Sequence, residues 1–191
     1  EAGANSTSIL NINGSVYETG DLTRQRQAGV SNVAKVIIDS YTDQQTVRHE
    51  GTLLVTGNSA TGELFEGFDT AQGDVIEFGS GGATIKVQAT STEGTTPSPI
   101  TVTQSNKAAF SGTGGFTKTG NGTLVLTAKN TFTGNVTLSE GGIMLGDGNA
   151  RVVDREVVTA LSGNANQELT LAEGTSFGVN FSDDATFGDI V

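Results

Sequence analysis

Cysteine and tryptophan are absent from this 191-residue chain, which holds one histidine, one methionine, two prolines and two tyrosines. Without cysteine there is no disulfide framework, so stability has to come from packed secondary structure. With no tryptophan and only Tyr17 and Tyr41, the aromatic platforms that sugars often stack on are scarce. Cations are few as well: ten Lys and Arg stand against 21 Asp and Glu, a formal charge of -11. Affinity for nucleic acid rests on clustered Lys and Arg meeting phosphates, so no nucleic-acid partner is expected. No run of eighteen apolar residues occurs, and Glu1 opens neither on methionine nor on a charged-then-apolar leader. Neither a membrane span nor a signal peptide is read here, and the chain is expected to be a piece of something longer.

Catalytic groupings are equally thin. The one histidine, His49, sits between Arg48 and Glu50, and in a strand these neighbours point to the opposite face, so a surface histidine in a turn is expected. Gly79-Ser80-Gly81-Gly82 lacks the acidic residue and histidine context of a serine nucleophile. Glu63, Glu66, Asp69, Asp74 and Glu77 are dense enough to suggest Ca²⁺, but their spacing fits no calcium loop and reads as a solvated acidic face. No catalytic residue, cofactor or metal ligand is therefore assigned.

What is abundant is glycine, 27 residues of it, spaced between short β-prone runs. Leu124 and Leu126 flank Val125, Val136 and Leu138 flank Thr137, and Ile143 and Leu145 flank Met144, each a period of two with one buried face. Gly120-Asn121-Gly122, Gly134-Asn135 and Glu140-Gly141-Gly142 separate the runs with turn residues. Leu124 precedes Ile143 by 19 residues, Leu126 precedes Leu145 by 19, and Phe116 precedes Val136 by 20. Such an offset suits a coil of three short strands that hides its apolar side only by stacking on the next coil. The fold class expected is all-β, a right-handed parallel β-helix of roughly 19–20 residues per coil. In it Gly114, Gly120, Gly122, Gly134, Gly141 and Gly146 set the turns. Phe116, Leu124, Leu126, Phe132, Val136, Leu138, Ile143 and Leu145 fill the core.

The stretch from Gly112-Thr113-Gly114-Gly115-Phe116-Thr117-Lys118-Thr119-Gly120 through Asn130-Thr131-Phe132-Thr133-Gly134 to Gly141-Gly142-Ile143-Met144-Leu145-Gly146 resembles the passenger-associated repeat of bacterial autotransporters. The likeness covers residues 111–147 and keeps the lysine, glycines and apolar positions in register. It implies a non-catalytic passenger segment, a scaffold or stalk that aids secretion and folding of a surface adhesin or secreted virulence factor. It also implies export through periplasm and outer membrane to the cell surface or medium. The partner implied is the protein's own C-terminal outer-membrane β-barrel, with a host-surface ligand or self-association as further possibilities. The lack of cysteine fits a chain that crosses an oxidising periplasm unfolded. The alternative is a glycan-binding or polysaccharide-degrading β-helix, although no basic residue beside clustered acids marks such an active site.

The whole chain, 1–191, reads as one β-helical fragment, with coils across about residues 30 to 147 and residues 148–191 as a capping or autochaperone region. Leu169 to Leu171 and Phe177 to Phe181 are expected as the last strands, and Phe177, Phe181 and Phe187 as apolar cover. Thr19 to Asn32 and Thr90 to Pro99 break the pattern and read as loops. Val153, Val157 and Leu161 allow a short helix.

Overall fold

The computed structural model describes residues 7–20, 22–24, 32–57, 63–89, 98–146 and 166–180, over which the chain winds as a parallel β-helix. The first coil contributes β1 (Thr7–Asn13) and β2 (Val16–Thr19). The second holds β3 (Val33–Asp39), an excursion made of β4 (Tyr41–Thr42) and β5 (Arg48–His49), then β6 (Thr52–Val55) and β7 (Glu63–Leu64). A single 3₁₀ turn, Thr70–Gln72, leads into β8 (Val75–Phe78), β9 (Ala83–Val87) and β10 (Thr101–Gln104). Then come β11 (Phe110–Gly112), β12 (Phe116–Thr119) and β13 (Thr123–Leu126), followed by β14 (Val136–Leu138) and β15 (Gly142–Leu145). The last described coil carries β16 (Leu169–Leu171) and β17 (Ser176–Val179).

These strands stack into three sheets, in the orders β1-β3-β8-β11, β2-β6-β9-β12-β14-β16 and β7-β10-β13-β15-β17. Within the three sheets every described pairing is parallel, and the antiparallel exception is the β4–β5 hairpin. Phe116 pairs with Val136, Leu124 with Ile143 and Leu126 with Leu145, so the offsets of 20 and 19 are coil-to-coil registers. Upstream coils are longer: Tyr17 pairs with Leu53, Leu53 with Ile85, and Ile85 with Lys118. In the coil after β13, Asn130 to Thr133 runs beside β11 through Thr131 N to Phe110 O (2.7 Å) and Thr133 N to Gly112 O (3.0 Å) without forming a regular strand.

Alternation turns one side chain in two inward, and the inward rows of all three sheets meet in one continuous core. At its centre six phenylalanines converge. The Phe78 ring lies 5.1 Å from Phe110, 5.4 Å from Phe132 and 5.5 Å from Phe116, while Phe65 sits edge-on to both Phe68 and Phe110. Tilted and edge-on contacts of this kind add about 0.5–1.5 kcal/mol per pair to burial. Their donors come from separate coils, so the aromatic stack ties the long upstream coils to the short ones.

Three expectations are adjusted. The coil pattern begins at Thr7 rather than near residue 30, because β1 and β2 enter the same ladders as β3 and β6. Their apolar outward residues Ile9 and Val16 stay exposed at the end of the described stack, which disguises them as surface. Val125 faces outward yet is buried, flanked in its ladder by Thr103 and Met144. The last strand runs over Ser176–Val179 and not to Phe181. The expected helix at 150–161, Phe181, Phe187 and all but Ser98 and Pro99 of the Thr90 to Pro99 loop lie outside the described residues.

Candidate functional site

Lys118 occupies an inward position of β12, in register between Ile85 and Leu138, with no surface exposed. A lysine there must bring its charge to a partner or lose it. Its side chain reaches the turn that follows, where Nζ donates to the carbonyls of Thr119 (2.8 Å), Gly120 (2.9 Å) and Glu140 (3.1 Å). Three carbonyls match the three donors of an ammonium. The Glu140 side chain closes the loop by accepting from Gly120 N at 2.7 Å. Burial pushes the ammonium down from 10.5 to about 8, and the Glu140 carboxylate opposes that fall. A depressed lysine is the usual mark of a nucleophile. This one is sealed from solvent with its donors spent on backbone, so the geometry makes it a clamp between consecutive coils. Alternation from Phe116, two residues earlier on β12, puts Lys118 on the inward face, but a lysine there is not read as core from the sequence.

A second polar group lies inside the same coils. Gln104 and Asn130 are fully buried, and Gln104 Nε2 donates to Asn130 Oδ1 and Ala108 O, both at 2.8 Å. Phe110 N donates to the same Asn130 oxygen at 2.7 Å. These amides satisfy backbone where the chain turns between β10, β11 and the segment after β13, a task that would otherwise leave orphaned groups inside. The upstream corner uses an acid instead: Asp39 Oδ1 accepts from Ser40 N (2.9 Å) and Gly81 N (2.8 Å), and Ser40 Oγ bridges Gly82 O and Gly51 N.

The glycines divide into two kinds. Gly120, Gly141 and Gly146 have φ of 74°, 70° and 81°, a conformation that penalises any side chain. Gly114, Gly122 and Gly134 keep φ outside that region and lie between strands where the next coil approaches closely. A Cβ on Gly114 would lie 1.8 Å from Gly79 O, and one on Gly134 2.1 Å from Gly115 N. The expected core positions Phe116, Leu124, Leu126, Phe132, Val136, Leu138, Ile143 and Leu145 are all buried, Leu145 the least so.

His49 stands in β5, stacked on Tyr41 with ring centroids 4.8 Å apart, and its Nε2 lies 2.9 Å from Asp43 Oδ2. That hydrogen bond, helped by Val47 N, holds the Asp43 carboxyl below its ordinary range. The pair organises the β4–β5 hairpin, where Asp43 Oδ1 also accepts from Gln45 N and Val47 N. The acidic stretch is not simply a solvated face. Asp74 is buried, pairs with Arg24 and accepts from Ala34 N and Asp69 N, both at 2.9 Å, while Glu77 meets Lys35 at 2.7 Å. Among the described residues, no three acidic or histidine side chains converge as a metal site.

One open groove of about 410 Å³ crosses the corner where the turns before β9, β12 and β14 stack. Its floor is glycine backbone, and Arg48, Ser80, Thr117, Asn135 and Thr137 stand along it. Arg48 is fixed at one end by donating from Nη2 to Gly81 O at 2.8 Å.

Comparison with curated proteins and with solved structures gave no match. Residues 116–144 match the family model described as Passenger-associated-transport-repeat. The matched span runs from the first residue of β12 to Met144 in β15, and so contains the Lys118 clamp, both of its partner turns and every expected core position but Leu145. A repeat of this family implies linkage to a C-terminal translocator barrel and export to the cell surface or medium. The two tight coils from β12 to β15 thus match the passenger-associated-transport-repeat, consistent with a repeat of autotransporter passengers.

Proposed function

We propose that this chain is a non-catalytic scaffold within an autotransporter passenger, a stalk whose stacked coils help the passenger to leave the cell and fold outside it. The observation that carries the reading is the coincidence of the matched repeat with the clamp: Lys118 draws on Glu140 O, 22 residues ahead, so the coil that holds β12 is completed by the next. A segment that hands order forward in this way suits a chain that folds as it emerges. Its partner in this reading is the protein's own C-terminal outer-membrane β-barrel, and residues 148–191 form the capping end, of which β16 and β17 extend the stack. A surface adhesin or secreted virulence factor is the kind of parent such a stalk serves.

The test is surface display of the full-length parent carrying Lys118→Met or Leu126→Asp. Expected is a barrel that still inserts in the outer membrane, with passenger at the surface reduced and more sensitive to added protease. Display and protease resistance at the wild-type level for both variants would overturn the folding role.

A further inference from the structure

We infer that the groove over β9, β12 and β14 is a binding site for an extended, uncharged oligosaccharide. Three features of its lining point to that chemistry. First, Thr52, Thr84, Thr117, Thr137 and Thr170 occupy one outward row, each paired in register with the next. Within the groove, Thr117 and Thr137 therefore present hydroxyls at the coil repeat of about 4.8 Å. Second, the hydroxyls of Ser80, Thr117 and Thr137 take no partner among the described residues and face solvent. They stand ready as donors and acceptors for a ligand that itself carries hydroxyls at regular intervals. Third, the floor is bare backbone. Gly81, Gly82, Gly114, Gly115 and Gly134 line it without side chains, and at Gly115 a Cβ would lie 1.7 Å from Asn135 O, so the stacking of the turns itself holds that stretch to glycine.

Other ligands fit less well. A peptide strand needs an unpaired sheet edge, but β9, β12 and β14 are each paired on both sides in the β6-β9-β12-β14-β16 order. An apolar chain finds no exposed large hydrophobic side chain here: Ile9, Val16, Tyr17, Tyr41, Val47 and Leu171 lie elsewhere. A polyanion meets a molecule of charge -11, and the one cation of the groove, Arg48, already leans toward Glu50 at 3.8 Å. The lining contains no carboxylate, so the groove binds a glycan without hydrolysing it, since glycoside hydrolysis needs a pair of acids. With hydrogen bonds and no stacking platform, affinity for a short chain falls on the order of 0.1–1 mM.

The experiment is an amide NMR titration of the chain with maltohexaose, cellohexaose and N-acetylchitohexaose, with hexagalacturonate and a Gly/Ser hexapeptide as comparators. Expected are saturable shifts at Gly81, Gly115, Thr117 and Asn135 with at least one neutral hexasaccharide. Thr137→Val, which removes the hydroxyl and keeps the shape, should weaken binding about tenfold. Thr117→Tyr should block the groove at an unchanged melting temperature; if it misfolds, Thr137→Val alone decides. The proposal fails if no neutral hexasaccharide gives saturable shifts, if the acidic sugar or the peptide binds more tightly, or if Thr137→Val binds as wild type does.

Discussion

The coils from Phe110 to Gly146 and those from Val33 to Gln104 solve the same geometric problem by different means. In the later coils, registers of 19 and 20 residues leave no room for excursions, and the corners are closed from inside by Lys118 and by Asn130, which meets Gln104 of the preceding coil. The earlier coils span more than thirty residues, as the pairing of Leu53 with Ile85 shows, and their corners are held by Asp39, Ser40 and a hairpin outside the stack. The short coils bury an ammonium and an amide at their corners, whereas the long ones combine a buried Ser40 with the partly exposed Asp39 and a hairpin outside the stack. Buried polar closures cost more to disturb than exposed ones.

That contrast should appear in mutants. The largest effect is expected for Leu126→Asp, which puts an unpaired carboxylate beside Leu145 in the closed core. A loss of about 5 kcal/mol or outright unfolding should follow, read by circular dichroism melting. Next come two glycines of equal chemistry and unequal surroundings. Gly114→Ala drives a methyl onto Gly79 O and should cost about 3 kcal/mol. Gly174→Ala, with φ of 79° and open space around it, should cost about 1 kcal/mol. Equal denaturant midpoints for the two would erase the distinction between close approach and backbone strain.

Lys118→Met should cost about 2 kcal/mol by stranding the Thr119, Gly120 and Glu140 carbonyls. It should also change the pH profile. Folded Lys118 titrates near about 8 against 10.5 for an ordinary lysine, so between those values the unfolded chain binds more protons and stability rises with pH. Urea midpoints should climb across that window in the wild type relative to Lys118→Met, and parallel curves would remove the burial effect. The smallest change is expected for Asp43→Asn in the exposed hairpin. Because Asp43 titrates below its ordinary value, its contribution holds above that value and fades in strong acid. Hydrogen exchange at Gln45 and Val47 should quicken in the variant while the melting temperature stays put.

Much of the short-coil region was legible in the sequence because local rules suffice there. Alternation marks Leu124, Leu126, Ile143 and Leu145 as one face, and their 19-residue spacing is the pairing itself. The longer coils hide their register, since an insertion of variable length separates Tyr17 from Leu53 and Leu53 from Ile85. Side chains that contradict their own type were also hidden. Alternation from Phe116 puts Lys118 inward between Ile85 and Leu138, but its residue type masks that, and nothing about Asp74 in an acidic run announces its burial with Arg24. The groove could not be read either, because its lining comes from corners brought together only by the winding.

The reach of Lys118 to Glu140 sets a rule of sequence in time. The turn at Thr119 and Gly120 has its full set of bonds only with Glu140, 22 positions beyond Lys118, in place, so this coil is not a finished unit by itself. Order must therefore pass between coils as it does between teeth of a zip, and cutting the chain anywhere between the two residues leaves the earlier coil open as well as the later one missing.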